Sequence, residues 1–378
     1  MRTLRIAVAS RIFEPESGAA AYRLSAMVKE LRARGHDVRV MTSRAPGATR
    51  STPEVRRWPV LRDKSGAVRG YVQYASFDIP LFFRLLFGRR NHLIIVEPPP
   101  TTGVVVRLIS GLRQTPYAYF AADVSSVAAE GIGVPRPVVT VLRILEGWVL
   151  SGAHTIFTVS EGVSKAVIQL GADPKNTVCV GTGIDTQQFI AEGPSAHGGD
   201  YFVYAGTMSE IQGAGVFIDA FLQIAGDFPD VRLFMYGQGV EFEDLKRRAQ
   251  PLGDQVQFLG TVNSGTLSAV LRGATAGLAS VRPSRGYDFA YATKAFASLS
   301  CGSPVIYAGV GPMKDLVEEE SLGYAVPWRA DAVADAMRAA LSQSTTSHDR
   351  SRLADWVREN FSLEAVSGRV GDALEQRL

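Results

Sequence analysis

The chain has little cysteine and histidine and no long hydrophobic run. Cys179 and Cys301 are the only cysteines in 378 residues, too few for a disulfide framework or a thiolate metal site. The five histidines are scattered, without the spacing of metal ligands. No segment approaches the roughly 18 uncharged apolar residues of a membrane span, and the first residues lack the apolar core of a signal peptide. We therefore expect a cytoplasmic protein without a metal site that is soluble or lies on a membrane surface.

The composition is otherwise that of an ordinary globular protein, but its charge is unevenly distributed. Hydrophobic residues make up 46% and charged residues 20% of the chain, which excludes a disordered or fibrous protein. The length predicts about two to three domains. Basic side chains outnumber acidic ones in residues 1–190, and the reverse holds in residues 191–378. The basic half is expected either to attract anionic ligands or an anionic membrane face, or to be a solvated, arginine-rich surface.

Short β-rich apolar runs alternate with helical patterns along the chain, which predicts parallel sheets built from βαβ units. The predicted strands are Leu4–Ser10, Asp37–Thr42, His92–Val96, Tyr117–Ala121, Thr155–Val159, Thr177–Val180, Tyr201–Ala205, Val231–Tyr236, Val256–Leu259, Gly277–Val281 and Pro304–Tyr307. The segment Ile190–Asp200 contains Gly, Pro and Ser without periodicity, which is typical of a linker. The predicted fold class is α/β, with two Rossmann-like, doubly wound parallel-sheet domains facing a cleft.

Loops that follow strands are the places to look for a site, because open parallel sheets bind ligands beyond the carboxyl ends of their strands. In the first domain, Gly18 at the start of a helix would let a ligand or acceptor approach the backbone closely. Ser17 beside it is equally a helix N-cap. In the second domain the candidate loop residues are Gly206, Thr207, Gln212, Gly237, Gly260 and Val262. Their backbone amides are expected to hold a diphosphate and a base, and the alternative is ordinary βα turns.

The segment from Val281 to Ile306 gives the strongest signal. A polar, glycine-containing loop leads into a helix whose first turn carries Lys294. A lysine at a helix start is electrostatically unfavourable unless an anion binds there, so Lys294 is the best candidate for a diphosphate contact, with a solvated surface lysine as the alternative. The ligand-binding candidates in the preceding loop are Arg282, Ser284, Arg285 and Asp288.

Several segments, taken in order, carry a family resemblance. They are Gly18, Leu31–Val40 with Gly35-His36, Thr158–Gly162, Val180–Phe189, Tyr204–Thr207, Val256–Gly260, and Lys294 followed by Gly302-Ser-Pro304-Val-Ile306. Together they resemble the family-4 retaining glycosyltransferases of the GT-B fold over nearly the whole chain. Within that family, Val96–Pro100, Asp123 and Glu146 are similar to the branch that builds bacterial polysaccharides or O-antigens on lipid carriers.

The resemblance implies two functional domains. Residues 1–190, joined by a helix at 362–378 that packs back, would bind the acceptor, and residues 200–361 would bind the nucleotide-sugar donor. It further implies a metal-independent hexosyltransferase of polysaccharide or natural-product biosynthesis, with a lipid-linked or small-molecule acceptor and no cofactor besides the donor substrate. Lys294 would stabilise the leaving diphosphate. Asp123 would contact the acceptor or the transferred sugar, unless it only caps a helix.

The chain also departs from the family pattern. The two glutamates that the family places eight residues apart are here Phe289 and Ala297, and Asp288 lies one residue from the first. The family's diphosphate-clamping arginine and lysine fall at Thr207 and Gln212. These departures leave open a pseudo-glycosyltransferase, an unusual C–N or C–S coupling enzyme, or a catalytically silent homologue that acts as a binding partner.

The basic and apolar segments of the sequence also bear on partners other than small molecules. No nucleic-acid partner is expected, because no binding motif accompanies the dispersed basic residues. The apolar, arginine-flanked segment Phe77–Arg90 is typical of peripheral contact with the inner membrane face, although a helix packed on its own sheet explains it as well.

Overall fold

The computed structural model describes residues 3–16, 18–45, 51–63, 66–68, 70–131, 133–284, 286–343 and 345–377. The chain forms two compact units, one of Met1–Thr182 with Leu363–Leu378 and the other of Gly183–Ser362. Each unit contains one parallel sheet with helices, which confirms the predicted α/β class of two parallel-sheet domains. The acceptor-binding and donor-binding roles given to the domains stay predictions.

All the strands predicted from the sequence are present, each within one residue of its expected ends, and two more strands join them. The strands are β1 (Arg5–Ala9), β2 (Asp37–Ser43), β3 (Val55–Trp58), β4 (Leu93–Val96), β5 (Tyr117–Ala121), β6 (Thr155–Thr158), β7 (Thr177–Cys179), β8 (Tyr201–Ala205), β9 (Arg232–Tyr236), β10 (Val256–Gly260), β11 (Ala276–Ser280), β12 (Val305–Ala308) and β13 (Gly323–Val326). The additional strands are β3 and β13, and each lies at an edge of its sheet.

Helices connect most of the successive strands and follow the last one. They are α1 (Ala19–Ala33), α2 (Tyr71–Phe87), α3 (Pro100–Arg113), α4 (Ser125–Gly131), α5 (Arg136–Ser151), α6 (Glu161–Gln169), α7 (Gly215–Leu222), α8 (Phe242–Arg248), α9 (Ser264–Arg272), α10 (Thr293–Ser300), α11 (Pro312–Glu319), α12 (Ala330–Ser342), α13 (Ser347–Phe361) and α14 (Leu363–Arg377). Among the helices that the structure describes, none is both long and apolar enough to span a bilayer.

The sheet of the first unit has the order β3-β2-β1-β4-β5-β6-β7, with all strands parallel. In β1, Ile6 pairs with Val38 on one side and Leu93 on the other. Strands β4 and β5 are buried throughout. Burial on both faces explains why they are continuous apolar runs without alternation. Helices α2, α3 and α5 pack side by side, in that order.

The C-terminal helix α14 belongs to the first unit and packs against α1. Arg34 at the end of α1 holds it with an ion pair to Asp372 at 2.8 Å and a hydrogen bond to the carbonyl of Gly368 at 3.1 Å. Arg369 donates to the carbonyl of Val180 at 2.8 Å. Helix α14 is therefore attached to the first unit at two places, the end of α1 and Val180 after β7.

The second unit has the strand order β10-β9-β8-β11-β12-β13, again all parallel. The order reverses beside β8, so the carboxyl ends of β8 and β11 lie at a topological switch point, where open sheets bind ligands. The core beneath is rich in aromatic side chains, including Phe202, Tyr204 and Phe217, all fully buried.

Candidate active site

Glycine loops follow the strands on one side of the switch point in the second unit. Gly206 follows β8, Gly237 follows β9, and Gly260 is the last residue of β10. These three residues line a cavity of 350 Å³ together with Thr207 and Val262. The structure thus brings together five of the residues predicted from separate loops of the sequence.

The backbones of these loops touch one another directly. The amide of Gly206 donates to the carbonyl of Tyr236 at 3.0 Å, and that of Gly237 to the carbonyl of Gly260 at 2.7 Å. Gly237 has φ +126°, and a Cβ atom there would lie 2.0 Å from the carbonyl oxygen of Gly206. Only glycine satisfies both conditions.

Replacing Gly237 by alanine is therefore expected to lower the free energy of unfolding by about 2 kcal/mol or more, because the backbone φ and the Gly206 carbonyl both oppose a side chain. Urea unfolding measures the change. Gly226→Ala is the matched control, since a Cβ there meets nothing within 4 Å. If the two variants prove equally stable, the two loops are not in direct contact.

Lys294 extends from the first turn of α10 to the loop after β8. Its ammonium group donates to Tyr204 Oη at 3.1 Å and to Gln212 Oε1. Its Nζ also lies 4.6 Å from the centroid of the Tyr204 ring, a cation–π distance. A Cβ on Gly206 would lie 2.8 Å from Lys294 Cε, so glycine at that position leaves room for the lysine. The predicted residues Lys294, Gln212 and Gly206 thus form one cluster.

The electrostatics of Lys294 are those of a cation without a counter-ion. Part of the side chain reaches solvent, but the ammonium group is enclosed by protein, and this burial lowers the pKa of Lys294 to about 7. Among the described residues, no carboxylate forms an ion pair with it. A buried ammonium at a helix N-terminus is stabilised by an anion, which the neutral Gln212 and Tyr204 do not supply.

The loop before α10 is shaped largely by its own contacts. The backbone amide of Ser284, at φ +63°, donates to both carboxylate oxygens of Asp288 at 3.0 and 3.1 Å. Arg282 stacks its guanidinium 4.9 Å above the Trp328 ring, and its amide donates to the carbonyl of Ile211 at 2.8 Å. Asp288 therefore closes the loop, and Arg282 joins it to the Gly206–Gly213 loop. Arg285, like Ser17, lies outside the described residues.

Two residues to which the sequence pattern assigns no role belong to this site. Tyr204 is part of the Tyr204–Thr207 motif, and the structure shows that its hydroxyl is the acceptor for Lys294. Glu241 follows the Gly237 loop, and its Oε2 is buried without a hydrogen-bond partner among the described residues. Burial, and secondly the charge of Glu210, raise the pKa of Glu241. A glutamate two residues after Gly239 was the available signal.

The first unit carries a second cluster, at the carboxyl ends of β1, β4 and β5. A cavity of 150 Å³ is lined there by Arg11, Arg23, Glu97 and Asp123. Glu97 is buried, accepts from Ser10 Oγ at 2.6 Å and pairs with the buried Arg23 at 3.4 Å.

Asp123 lies at the mouth of this cavity. The side chain reaches solvent, while the protein around it raises the pKa of the carboxyl group by desolvation, against the attraction of Arg23 and Arg11.

Asp123 was also predicted as a possible cap of the next helix, but the side chain that caps α4 is that of Glu146. The carboxylate of Glu146 accepts from the amides of Ser125 at 2.7 Å and Ser126 at 2.9 Å, which are the first two of α4. Glu146 therefore supplies the side-chain hydrogen bonds to the first two amides of α4. Gly18 precedes α1 at φ +143°, with open space where a Cβ would stand.

No metal centre is evident in the described part of the chain, where no three His, Cys, Asp or Glu side chains are grouped as ligands. The roles assigned to Lys294, Asp123 and the loop residues stay predictions. What the geometry establishes is a set of backbone amides in the second unit and the Lys294 ammonium group, which forms no ion pair with a described carboxylate.

The comparisons with known proteins agree with this geometry. A model of the glycosyl transferase 4-like domain matches residues 18–183, and a model of the glycosyl transferases group 1 matches residues 199–343. No curated protein matches the sequence.

Three solved structures show the fold. Sucrose-phosphate synthase from Thermosynechococcus elongatus has a TM-score of 0.78 at 17% identity, over 99% of both chains. HepE from Anabaena, in complex with UDP-glucose, has a TM-score of 0.71 at 16% identity, over 99% of this chain and 100% of that chain. The catalytic domain of starch synthase IV from Arabidopsis thaliana, bound to ADP and acarbose, has a TM-score of 0.72 at 12% identity, over 100% and 99%.

Two Rossmann-like units, each matched by a glycosyl transferase model, make the chain a glycosyltransferase of the GT-B type. The two family models together match most of the sequence, and the chain belongs to the family-4 glycosyltransferases.

Proposed function

We propose that the protein transfers a hexose from a nucleotide-sugar donor to a lipid-linked or small-molecule acceptor, with retention of the anomeric configuration. The observation that supports this most strongly is the Lys294 ammonium group, which is unpaired by any described carboxylate and is held beside the Gly206–Gln212 loop. The complexes of HepE with UDP-glucose and of starch synthase IV with ADP support a nucleoside diphosphate as the ligand.

The chemistry follows from these groups. The acceptor hydroxyl oxygen bonds to the anomeric carbon on the face from which the diphosphate departs, as the bond between that carbon and the diphosphate oxygen breaks. The hydroxyl proton passes to the leaving diphosphate. Lys294 and the loop amides stabilise the charge that develops there, in a position fixed before the reaction. These groups would replace a metal ion, and no cofactor other than the donor is proposed.

The acceptor side of the proposal involves the first unit. Asp123 lies at a solvent-accessible cavity after β5, where it would orient an acceptor hydroxyl. A lipid-linked acceptor of bacterial polysaccharide or natural-product assembly would bring a cytoplasmic enzyme to the inner membrane face, in contact through its basic first unit.

The absence of carboxylates at Phe289 and Ala297 favours a second candidate, a homologue that binds a nucleotide without ordinary sugar transfer. Phe289 stacks on Tyr287 with ring centroids 6.2 Å apart, and Ala297 is buried against Cys301. Neither side chain can accept a hydrogen bond from the ribose hydroxyls. Pseudo-glycosyltransferase or C–N or C–S coupling chemistry is consistent with this variant site.

Thermal-shift measurements with UDP, GDP, ADP and dTDP test the proposal, with EDTA present in a parallel series. One nucleotide is expected to stabilise the protein, by about 2.7 kcal/mol at a hundred times its dissociation constant, and EDTA is expected to leave the shift unchanged. The stabilising nucleotide is then supplied as its glucose conjugate, and released diphosphate is measured with candidate acceptors. If none of the four nucleotides raises the melting temperature, the proposal of a transferase is contradicted and a silent binding partner is favoured.

A further inference from the structure

The first unit exposes a stripe of apolar side chains that do not pack against its sheet. On α2, Ile79, Phe83 and Phe87 are spaced four residues apart and face solvent, with Phe87 79% exposed. The opposite side of the same helix supplies its packing, through the buried Phe77, Leu81 and Leu85, among others. A helix that only covers its own sheet needs one apolar side, and α2 has two.

The stripe continues across the two neighbouring helices. On α3, Leu108 and Leu112 are exposed, and on α5 Val141, Ile144 and Trp148 are exposed at helical spacing. Because α2 packs on α3 and α3 on α5, these side chains form one surface, which we call the three-helix face. Soluble monomers rarely expose a contiguous apolar surface over several elements unless it binds something.

The charged side chains of α2, α3 and α5 that reach solvent are all basic. The only acidic residues of α2, α3 and α5 are Asp78 and Glu146, and both are buried. The basic residues of these helices, and of the segment directly after α2, are Arg84, Arg89, Arg90, Arg107, Arg113, Arg136 and Arg143. Arg143 pairs with Glu130 of α4, and Arg107 lies 4.3 Å above the Trp148 ring. An apolar surface bordered by arginines, with no exposed carboxylate of its own helices, is complementary to anionic lipid headgroups over acyl chains.

We propose that the three-helix face docks the first unit on an anionic lipid bilayer. A second copy of the chain is disfavoured as the occupant, because a symmetric contact would bring arginines against arginines. The inference rests on the proposed function in one respect, since docking would give access to a lipid-linked acceptor. Its evidence comes from the first unit alone.

Flotation of the full-length protein with vesicles tests the inference. We expect co-flotation with vesicles of phosphatidylcholine and phosphatidylglycerol, little with phosphatidylcholine alone, and a decrease as salt is raised. The variant Ile79→Gln/Phe83→Gln/Phe87→Gln is expected to bind anionic vesicles at least about tenfold less, because the exposed apolar area is lost. Its melting temperature should be unchanged or higher, since these side chains face solvent.

Matched variants of the second unit provide the controls. Leu222→Gln/Val240→Gln removes exposed apolar side chains there and is expected to float like the wild type. Arg89→Glu/Arg90→Glu should reduce flotation, whereas Lys246→Glu/Arg247→Glu on α8 should not.

Three results would overturn the inference. The first is wild-type protein that stays at the bottom of the gradient with anionic vesicles at low salt. The second is a triple variant that floats like the wild type. The third is a wild-type protein that does not float but forms a dimer, when the triple variant is a monomer. Nucleoside diphosphate binding is measured on the same preparations. Intact nucleotide binding without flotation overturns this inference and leaves the proposed function standing.

Discussion

Glu97→Ala is expected to destabilise the protein by about 3–5 kcal/mol, because it leaves the guanidinium of Arg23 buried without its counter-ion. Glu97 Oε2 lies 3.4 Å from Arg23 Nη2, and both side chains are less than a tenth exposed. Removal of Glu97 also removes one acceptor of Ser10 Oγ, which donates to the other carboxylate oxygen at 2.6 Å. The remaining contacts of Arg23 are weaker, since the Phe120 ring lies 4.8 Å away and Asp123 attracts the guanidinium without an ion pair like that of Glu97.

Urea unfolding followed by tryptophan fluorescence measures this change, since Trp58 and Trp148 lie in the first unit. Asp244→Ala is the control, because it breaks an exposed ion pair with Arg247 and should cost less than about 1 kcal/mol. A double variant, Glu97→Leu/Arg23→Met, should recover most of the stability that Glu97→Ala loses, since it removes both buried charges. Equal costs for Glu97→Ala and Asp244→Ala would show that the Arg23–Glu97 pair is not buried.

The sequence predicted most strands of the two sheets but missed one edge strand of each sheet, β3 and β13. Buried parallel strands such as β4 are continuous apolar runs, so their pattern identifies them without knowledge of neighbours. The edge strand β3 reads Val-Arg-Arg-Trp, and β13 begins with glycine. Such short and partly polar edge strands are stabilised by the neighbouring strand more than by their own pattern, and an apolar-run criterion misses them.

The candidate site was predictable in its loops but not in its contacts. Glycines after strands and a lysine at a helix start are local signals, and they located Gly206, Gly237 and Lys294. That Tyr204 receives a hydrogen bond from Lys294 depends on two elements 90 residues apart, which no local pattern encodes. In the same way, Glu146 caps α4 from the next helix, so its role could be seen only in the folded unit.

The segment Phe77–Arg90 has one buried apolar side and one exposed apolar side, and its contact with a membrane stays a prediction. The sequence offered a choice between a helix packed on its own sheet and an interfacial helix. In the structure Phe77, Leu81 and Leu85 are buried, while Phe83 and Phe87 are exposed. The apolar composition of the segment does not distinguish these two sides of the helix, because burial depends on the direction in which the sheet lies.

Removing the ammonium group of Lys294 is expected to have the largest effect on ligand binding. Lys294→Met keeps the length of the side chain and should weaken nucleoside diphosphate binding by about 10- to 100-fold, the loss expected for a hydrogen bond between charged groups. Isothermal titration calorimetry with the nucleotide identified by thermal shift measures the change. The exposed Lys246 on α8 gives the matched control, and Lys246→Met should bind like the wild type.

The lowered pKa of Lys294 adds a pH dependence that a merely structural lysine would not show. With the pKa of Lys294 at about 7 in the free protein, the ammonium form predominates below pH 7 and is lost above it. Diphosphate binding above pH 7 must include protonation of Lys294, so the dissociation constant should rise by up to about tenfold per pH unit. Lys294→Met should lack this rise. Parallel pH profiles of wild type and variant would contradict a direct contact between Lys294 and the diphosphate.

The same lowered pKa governs the stability of the free protein, with the opposite sign to that of a lysine in an ion pair. Between pH 7 and the ordinary lysine range, the unfolded chain binds a proton at Lys294 that the folded protein does not, so the free energy of unfolding should rise with pH. Relative to Lys294→Met, the wild type should therefore gain stability from pH 7 to pH 10. A saturating nucleoside diphosphate restores the ammonium form and should abolish the gain, because an anion beside Lys294 raises its pKa again.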